Sequence, residues 1–354
     1  MKYKLVLLLV IASAQGRAAS YPAPQSGEFV VRDFKFKSGE VLPELRIHYQ
    51  TLGTAKRDQK GEVRNAVIVL HGTGGSSNQF LTDNFAGVLF GPGQLLDANR
   101  YFIVLPDGIG HGRSSKPSDG LHARFPRYEY DDMVRAHHLL LTQKLGVNHL
   151  RLVTGTSMGG MHSWVWGETY PEFMDALLPL ASLPVQIAGR NRMMRRMIID
   201  SIRGDPDWQQ GEYKSQPRAL IAAHHILMIM SSSALQWQKQ SPTRDSADQF
   251  MENWVARRVE KADANDLLYQ IEASRNYDPS PKLETIRAPL LAINSADDVI
   301  NPPELGILEN EIKRVKNGRA VVLPITDKTR GHGTHSFPEI WQQHLAELLK
   351  QSER

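Results

Sequence analysis

The chain contains no cysteine. That excludes disulfides, thiolate metal sites and a cysteine nucleophile. It also suits export, because an oxidising compartment finds nothing to oxidise. Beyond the first residues there is no apolar run long enough to cross a bilayer, so no stable membrane insertion is expected. A real excess of charge is missing too. The formal balance is +4, but Lys2, Lys4 and Arg17 carry three of those four charges. All three lie in "MKYKLVLLLVIASAQGRAAS", which reads as a secretory signal over residues 1–20. Its apolar centre, Leu5 to Ala12, is too short to span a membrane comfortably. Ala18 and Ser20 fit cleavage after Ser20, with a cut after Gly16 as the alternative. A near-neutral mature chain gives no electrostatic footprint for nucleic acid, so no nucleic-acid partner is expected. The expected location is periplasmic or secreted. A homodimer is left open.

What is present is alternation. At 354 residues and 41% hydrophobic, the chain can build one large core with an inserted subdomain. Residues Ser20 to Gly27 read as a loose leader. "GEFVVRDFKFKSGEVLPELRIHYQTLG" reads as two antiparallel strands joined at Lys37–Gly39. "NAVIVLHG", "YFIVLPDG", "HLRLVTG" and "DALLPLAS" are continuous apolar runs, as in parallel strands covered on both faces. Helical patterns separate them: "YDDMVRAHHLLLTQKLGV", stopping at Gly146, and "MGGMHSWVWGETYP", stopping at Pro171. From about Val185 to Lys282 the pattern is helical only. Alternation resumes with "RAPLLAINSADD", a helix over Pro303–Val315, the strand "RAVVLPI" and a final helix from Phe337 to Leu349. The fold class is therefore α/β, with a mostly parallel central sheet and a helical cap insertion. The organisation is signal 1–20, core 21–184, cap 185–282 and core 283–354.

Gly155-Thr156-Ser157-Met158-Gly159 fits G-x-S-x-G between a strand and a helix. Such a turn lifts the serine hydroxyl above the sheet and aims the next N–H, that of Met158, at a developing oxyanion. Ser157 is the candidate nucleophile. Its base is sought in the loop between the last strand and the last helix, where His332 is preferred over His335. The acid is sought at the end of "PLLAINS", where Asp297 and Asp298 both qualify, one facing the histidine and the other capping a turn or helix. The second oxyanion donor is expected in "His71-Gly72-Thr73-Gly74-Gly75", from Thr73 N–H with Gly74 as runner-up, and His71 holds that loop. The glycines are not spaced for phosphate and no G-K-[ST] follows. "LPDGIGHGRSS" is read as a structural turn.

"SGEVLPELRIHYQTLGT", "RFPRYEYDDMVRAHHLLLTQKLGV", "GTSMGGMHSWVWGETYP" and "GDPDWQQGEY" together resemble the homoserine O-acetyltransferase family of α/β-hydrolases, from about Phe34 onward. The resemblance implies an α/β-hydrolase fold and a triad of Ser157, Asp298 and His332. Asp298 is the residue with the family's spacing to Pro302. Two departures stand out. Gly333 occupies the place of the aspartate that receives the substrate's amine, and His224 that of the arginine that holds its carboxylate. A tyrosine is also replaced near Met230 and Ser231. Met193, Met194, Met197, Met228 and Met230 make either an adaptable apolar pocket or helix packing. The expected activity is hydrolysis of an ester, or an amide, of a small apolar acid through an acyl-enzyme on a Ser-His-Asp triad. Acyl transfer to a hydroxyl acceptor is the second expectation, and a non-catalytic binding protein the third. The expected partner is a small-molecule acyl substrate, and no metal or organic cofactor is required.

Overall fold

The computed structural model describes residues 21–353. The signal assigned to residues 1–20 lies outside the described residues. Eight strands form one sheet: β1 Gln25–Lys35, β2 Val41–Leu52, β3 Ala66–Leu70, β4 Phe102–Pro106, β5 Leu152–Thr156, β6 Leu177–Leu180, β7 Leu290–Ser295 and β8 Gly318–Leu323. Their order across the sheet is β1-β2-β4-β3-β5-β6-β7-β8. The first two pairings, β1 with β2 and β2 with β4, are antiparallel. All others are parallel.

Ten α-helices accompany the sheet. They are α1 Ala86–Leu89, α2 Tyr130–Leu139, α3 Met158–Thr169, α4 Gly189–Gly204, α5 Ala219–Met230, α6 Ala234–Gln240, α7 Arg244–Val259, α8 Ala264–Glu272, α9 Ile307–Glu311 and α10 Gln342–Gln351. The central strands are apolar on both faces because both faces are covered. In β3, Ala66, Ile68 and Leu70 pack with Met133 of α2 and Trp164 of α3. Val67 and Val69 pack on the other side with Leu89 of α1 and Leu345 of α10. This two-residue alternation between two cores is what a strand inside a parallel sheet requires.

Helices α4 to α8 lie between β6 and β7 and form their own small core around Ile198, Ile202, Leu220 and Leu268. Ile300, from the loop after β7, joins that core. The insertion therefore rests directly on the loop that carries the candidate acid.

Three expectations are corrected. The leader is shorter than its proline content implied, since β1 starts at Gln25 and Tyr21 packs on the sheet's second core. The helix expected over Pro303–Val315 is broken, because Gly306 takes φ +63° and ends the first turn. The last helix starts at Gln342, after a separate 3₁₀ turn over Pro338–Ile340. The stop expected at Gly146 holds: α2 runs on through a π turn over Leu140–Lys144 and the chain leaves it at Gly146, at φ +65°. Among the described residues no single helix is long and apolar enough to cross a membrane.

Candidate active site

Ser157 sits between β5 and α3 at φ 55°, ψ −110°, a backbone region that L-residues rarely occupy. The turn closes because its neighbours lack side chains. A β-carbon on Gly159 would collide with the Leu70 carbonyl, and one on Gly155 with the Gly159 backbone. The Ser157 N–H is tied to Leu180 O at 2.9 Å, which locks the turn to the next strand.

His332 meets both partners expected of it. Its Nε2 lies 2.8 Å from Ser157 Oγ, and its Nδ1 lies 2.8 Å from Asp298 Oδ2. With Nδ1–H donated to the carboxylate, Nε2 is left to accept the serine proton. Asp298 is 2% exposed and also accepts from Ile300 N–H at 2.8 Å and Asn301 Nδ2 at 3.0 Å. Burial works to raise its pKa. The facing His332 ring and these hydrogen bonds outweigh burial, so the carboxyl is held below its ordinary value. His335 reaches neither Ser157 nor Asp298. Burial, and then His332, push its pKa down to about 3, and its Nδ1 is buried without a partner.

Asp297 does something other than cap a turn or helix. Its Oδ2 accepts from Gly331 N–H at 2.8 Å and faces Ser233 Oγ at 3.3 Å, while its Oδ1 accepts from Ser295 Oγ at 2.5 Å. It thus clamps the His332 loop to the strand end and to the helical insertion. Gly331 must be glycine on two counts: φ is +57°, and a β-carbon would collide with Ser232 O of the insertion.

The loop after β3 is pinned from three sides. Gly108 N–H donates to His71 Nε2 at 2.9 Å, so His71 Nδ1–H is the donor to Gly72 O at 2.8 Å. Gln79 accepts from Gly72 N–H at 3.0 Å and donates to Thr156 Oγ1 at 2.9 Å, joining this loop to the strand that leads into Ser157. Among the described residues, no protein acceptor meets the N–H of Thr73, Gly74 or Met158. Asp107, in the "LPDGIGHGRSS" turn, accepts from Ser77 N–H, Arg113 N–H and His48, which is the structural role expected of that turn.

Ser157 and His332 open into a cleft of about 820 Å³ between the sheet and the insertion. Its far wall is not the methionine-built pocket that the sequence offered as one alternative. Of the five methionines only Met230 lines it, while Met193 and Met197 are 64% and 55% exposed on the opposite face. Leu227, Leu267 and Ile271 supply its apolar part, and Arg195, Arg257, Arg258 and Lys261 line it beside them. His224 is there too, but its Nδ1–H goes to Leu220 O at 2.8 Å, and burial holds its pKa below the ordinary value. It is a neutral group offering a lone pair, the reverse of an arginine.

Sequence reasoning missed Gln79, Asn301, the clamp at Asp297 and Arg195. For Arg195 a signal existed. The buried stripe of α4 runs Arg195, Ile198, Ile199, Ile202, at spacing i, i+3, i+4, i+7. A cation on the apolar stripe of a helix demands an explanation.

Comparison with known proteins agrees with this architecture. Residues 65–324 match the α/β-hydrolase fold family. A homoserine O-acetyltransferase of Pelobacter propionicus is 30% identical over 335 residues, covering 84% of this chain and 88% of that protein. Two solved structures are similar in fold. A homoserine O-acetyltransferase from Bacillus anthracis has TM-score 0.78 at 20% identity, covering 94% of this chain and 98% of that one. An acetylester hydrolase from Corynebacterium glutamicum has TM-score 0.79 at 19% identity, covering 92% and 96%. A family model spanning most of the sequence, and a relative aligned along most of both chains, show that the chain belongs to the α/β-hydrolase fold family.

Proposed function

We propose that this chain is a serine ester hydrolase that works through an acyl-enzyme on Ser157, with His332 as base and Asp298 as its orienting acid. The observation that carries the reading is the unbroken line Ser157 Oγ, His332 Nε2, His332 Nδ1, Asp298 Oδ2, with both hydrogen bonds at 2.8 Å. Ser157 Oγ attacks the ester carbonyl and its proton passes to His332 Nε2. The oxyanion forms against the N–H groups of Met158 and Thr73. The imidazolium, held by Asp298, returns its proton to the departing alcohol. Water then repeats the attack on the acyl-Ser157, losing its proton to His332, and the acid leaves.

Transfer to an alcohol is the second reading, favoured by the similarity to homoserine O-acetyltransferases. Two observations favour water. Gly333 stands where the resemblance places an amine-binding aspartate. Nothing in the fold forbids a side chain there: its φ is ordinary, and a β-carbon would meet only Arg330 Cβ, at 3.9 Å. His224 stands where a carboxylate-binding arginine is expected and is neutral. A transferase must hold its acceptor well enough to outcompete water. The reading places the mature protein in the periplasm or outside the cell, in keeping with its N-terminal segment and lack of cysteine.

The test is to incubate protein lacking residues 1–20 with acetyl-CoA and homoserine, and separately with short-chain acyl esters, following products by mass spectrometry. Ester hydrolysis with negligible O-acetylhomoserine is expected. Rapid O-acetylhomoserine formation with little ester hydrolysis overturns the reading in favour of transfer.

A further inference from the structure

Arg195 is 3% exposed and lines the cleft that holds Ser157. A guanidinium stays protonated under any ordinary condition, and a buried charge without a partner is costly. Yet its hydrogen-bond partners are neutral: Nε donates to Asn191 Oδ1 at 2.9 Å and Nη1 to Ser274 Oγ at 3.0 Å. Among the described residues no carboxylate pairs with it. Glu272, near the same helix face, is taken by Arg203 at 2.8 Å.

The cleft's two acids are occupied elsewhere. Asp263 caps α8 through the N–H groups of Asn265 and Asp266. Asp266 accepts from Ser118 N–H and Oγ, and burial pushes its pKa up to about 6. The surroundings add positive charge instead. Arg192 is held below its ordinary pKa by burial and then by Arg275, Arg195 and Arg196. Arg257, Arg258 and Lys261 line the same cleft, with Arg258 stacked 3.6 Å over Trp254.

Two more polar groups lie unused beside Arg195. The Tyr130 hydroxyl and Thr73 Oγ1 are buried and, among the described residues, complete no hydrogen bond of ordinary geometry. Tyr130 is close enough to Arg195, Thr73 and Ser274 for all three to oppose the rise in its pKa that burial causes. Thr73 belongs to the candidate oxyanion loop, so this polar cluster adjoins the reacting centre. Asn191 and Ser274 give Arg195 a bracing role between α4 and α8, but bracing calls for no buried cation. A neutral amide donor such as Gln does it without a desolvated charge.

We infer that the cleft takes an ester bearing a carboxylate, which Arg195 receives deep in the site while Arg257, Arg258 and Lys261 draw it in. This rests on the ester-hydrolase reading and names its substrate class. Arg195 lies on α4, whereas His224, at the position the resemblance gives to a carboxylate-binding arginine, lies on α5. The anion contact is therefore a different one, replacing the neutral apolar acid expected from the methionines.

The test needs no mutant at first. Wild-type protein is given 4-nitrophenyl hemiesters of glutarate, adipate and suberate, each beside its neutral methyl-capped counterpart. O-acetylated hydroxy acids beside their methyl esters put the charge on the alcohol side instead. Spontaneous hydrolysis is subtracted. In at least one series kcat/KM should favour the anion by roughly ten- to a hundredfold, as one charge-assisted pair provides. Arg195→Gln should bring that ratio to near one, and Arg195→Lys should restore part of it. Equal rates for charged and neutral partners in both series overturn the inference while leaving the hydrolase reading intact. So does an anion preference that survives Arg195→Gln. No hydrolysis of any ester, with no covalent label on Ser157 from a fluorophosphonate, sinks the hydrolase reading itself.

Discussion

The two walls of the cleft are built on different principles. On the sheet side each reacting group is fixed by backbone. Ser157 sits on a turn tied to β6, the His332 loop hangs from Asp297, and Asp298 receives a backbone N–H and an amide. On the cap side the charged groups project from helices whose core is small, and six large apolar side chains there stay exposed, Met193 and Met197 among them. On the proposed reading the sheet holds geometry that any ester needs, and the cap holds charges that only some esters want. Chemistry and selectivity can therefore be damaged separately.

The largest damage should come from the sheet side. Ser157→Ala and His332→Ala should each cut ester turnover on the order of 10⁴- to 10⁶-fold with the fold retained, since the pair works as a unit. Circular dichroism and burst kinetics check this. A His332→Ala protein that keeps its activity, beside a dead His335→Ala, would move the base.

Next come the two neighbouring aspartates. Asp298→Asn should lower kcat by about 10³- to 10⁴-fold, because an amide facing Nδ1 allows the unproductive tautomer. Asp297→Asn leaves that bond in place and loosens the loop clamp. It should cost about tenfold or less, together with a lower Tm. Equal losses in kcat would mean that the clamp and the acid are one device.

These outcomes bear on what the residues alone disclosed. Ser157 was legible because a strained turn leaves glycines at fixed offsets, and His332 because loop position narrows thirteen histidines to two. Adjacent aspartates at a strand end are chemically alike; the resemblance favoured Asp298 through its spacing to Pro302, and the fold adds that Asp298 turns towards Nδ1 while Asp297 takes Gly331 N–H. Buried strands announced themselves as apolar runs. The break at Gly306 and the π turn after α2 depend on local backbone that periodicity does not encode. Arg195 is one of several arginines on α4, and nothing in the segment's helical pattern singled it out.

A smaller effect separates the walls by pH. His111 and His137 lie buried beside the sheet, each with its pKa pushed down to about 3, first by burial and then by His71 nearby, while Asp107 opposes. In the unfolded chain they titrate near ~6.5. Between those values the unfolded state binds more protons. Stability should therefore be fully present above about pH 6.5 and fall progressively towards pH 3. His137→Gln should flatten that fall in a Tm-versus-pH series. An unchanged slope would assign the acid sensitivity elsewhere.

The smallest effect is expected on the outer face of the cap. Met193→Ala and Met197→Ala should each change stability by no more than about 0.5 kcal/mol and leave kcat/KM alone, since both side chains face away from the cleft. A marked change in acyl-chain preference would return those methionines to the binding site.

The positive φ at Ser157 means that the molecule carries its reactivity as a standing structural debt. A residue held there costs on the order of 1–3 kcal/mol, which the surrounding close-packed turn must outweigh. Glycine would relieve that strain at once. Any selection for heat resistance alone, without a demand for turnover, would therefore tend to erase the proposed nucleophile and keep everything around it. A catalogue of thermally hardened variants should contain inert proteins with Ser157→Gly, more robust than their parent because they no longer do anything.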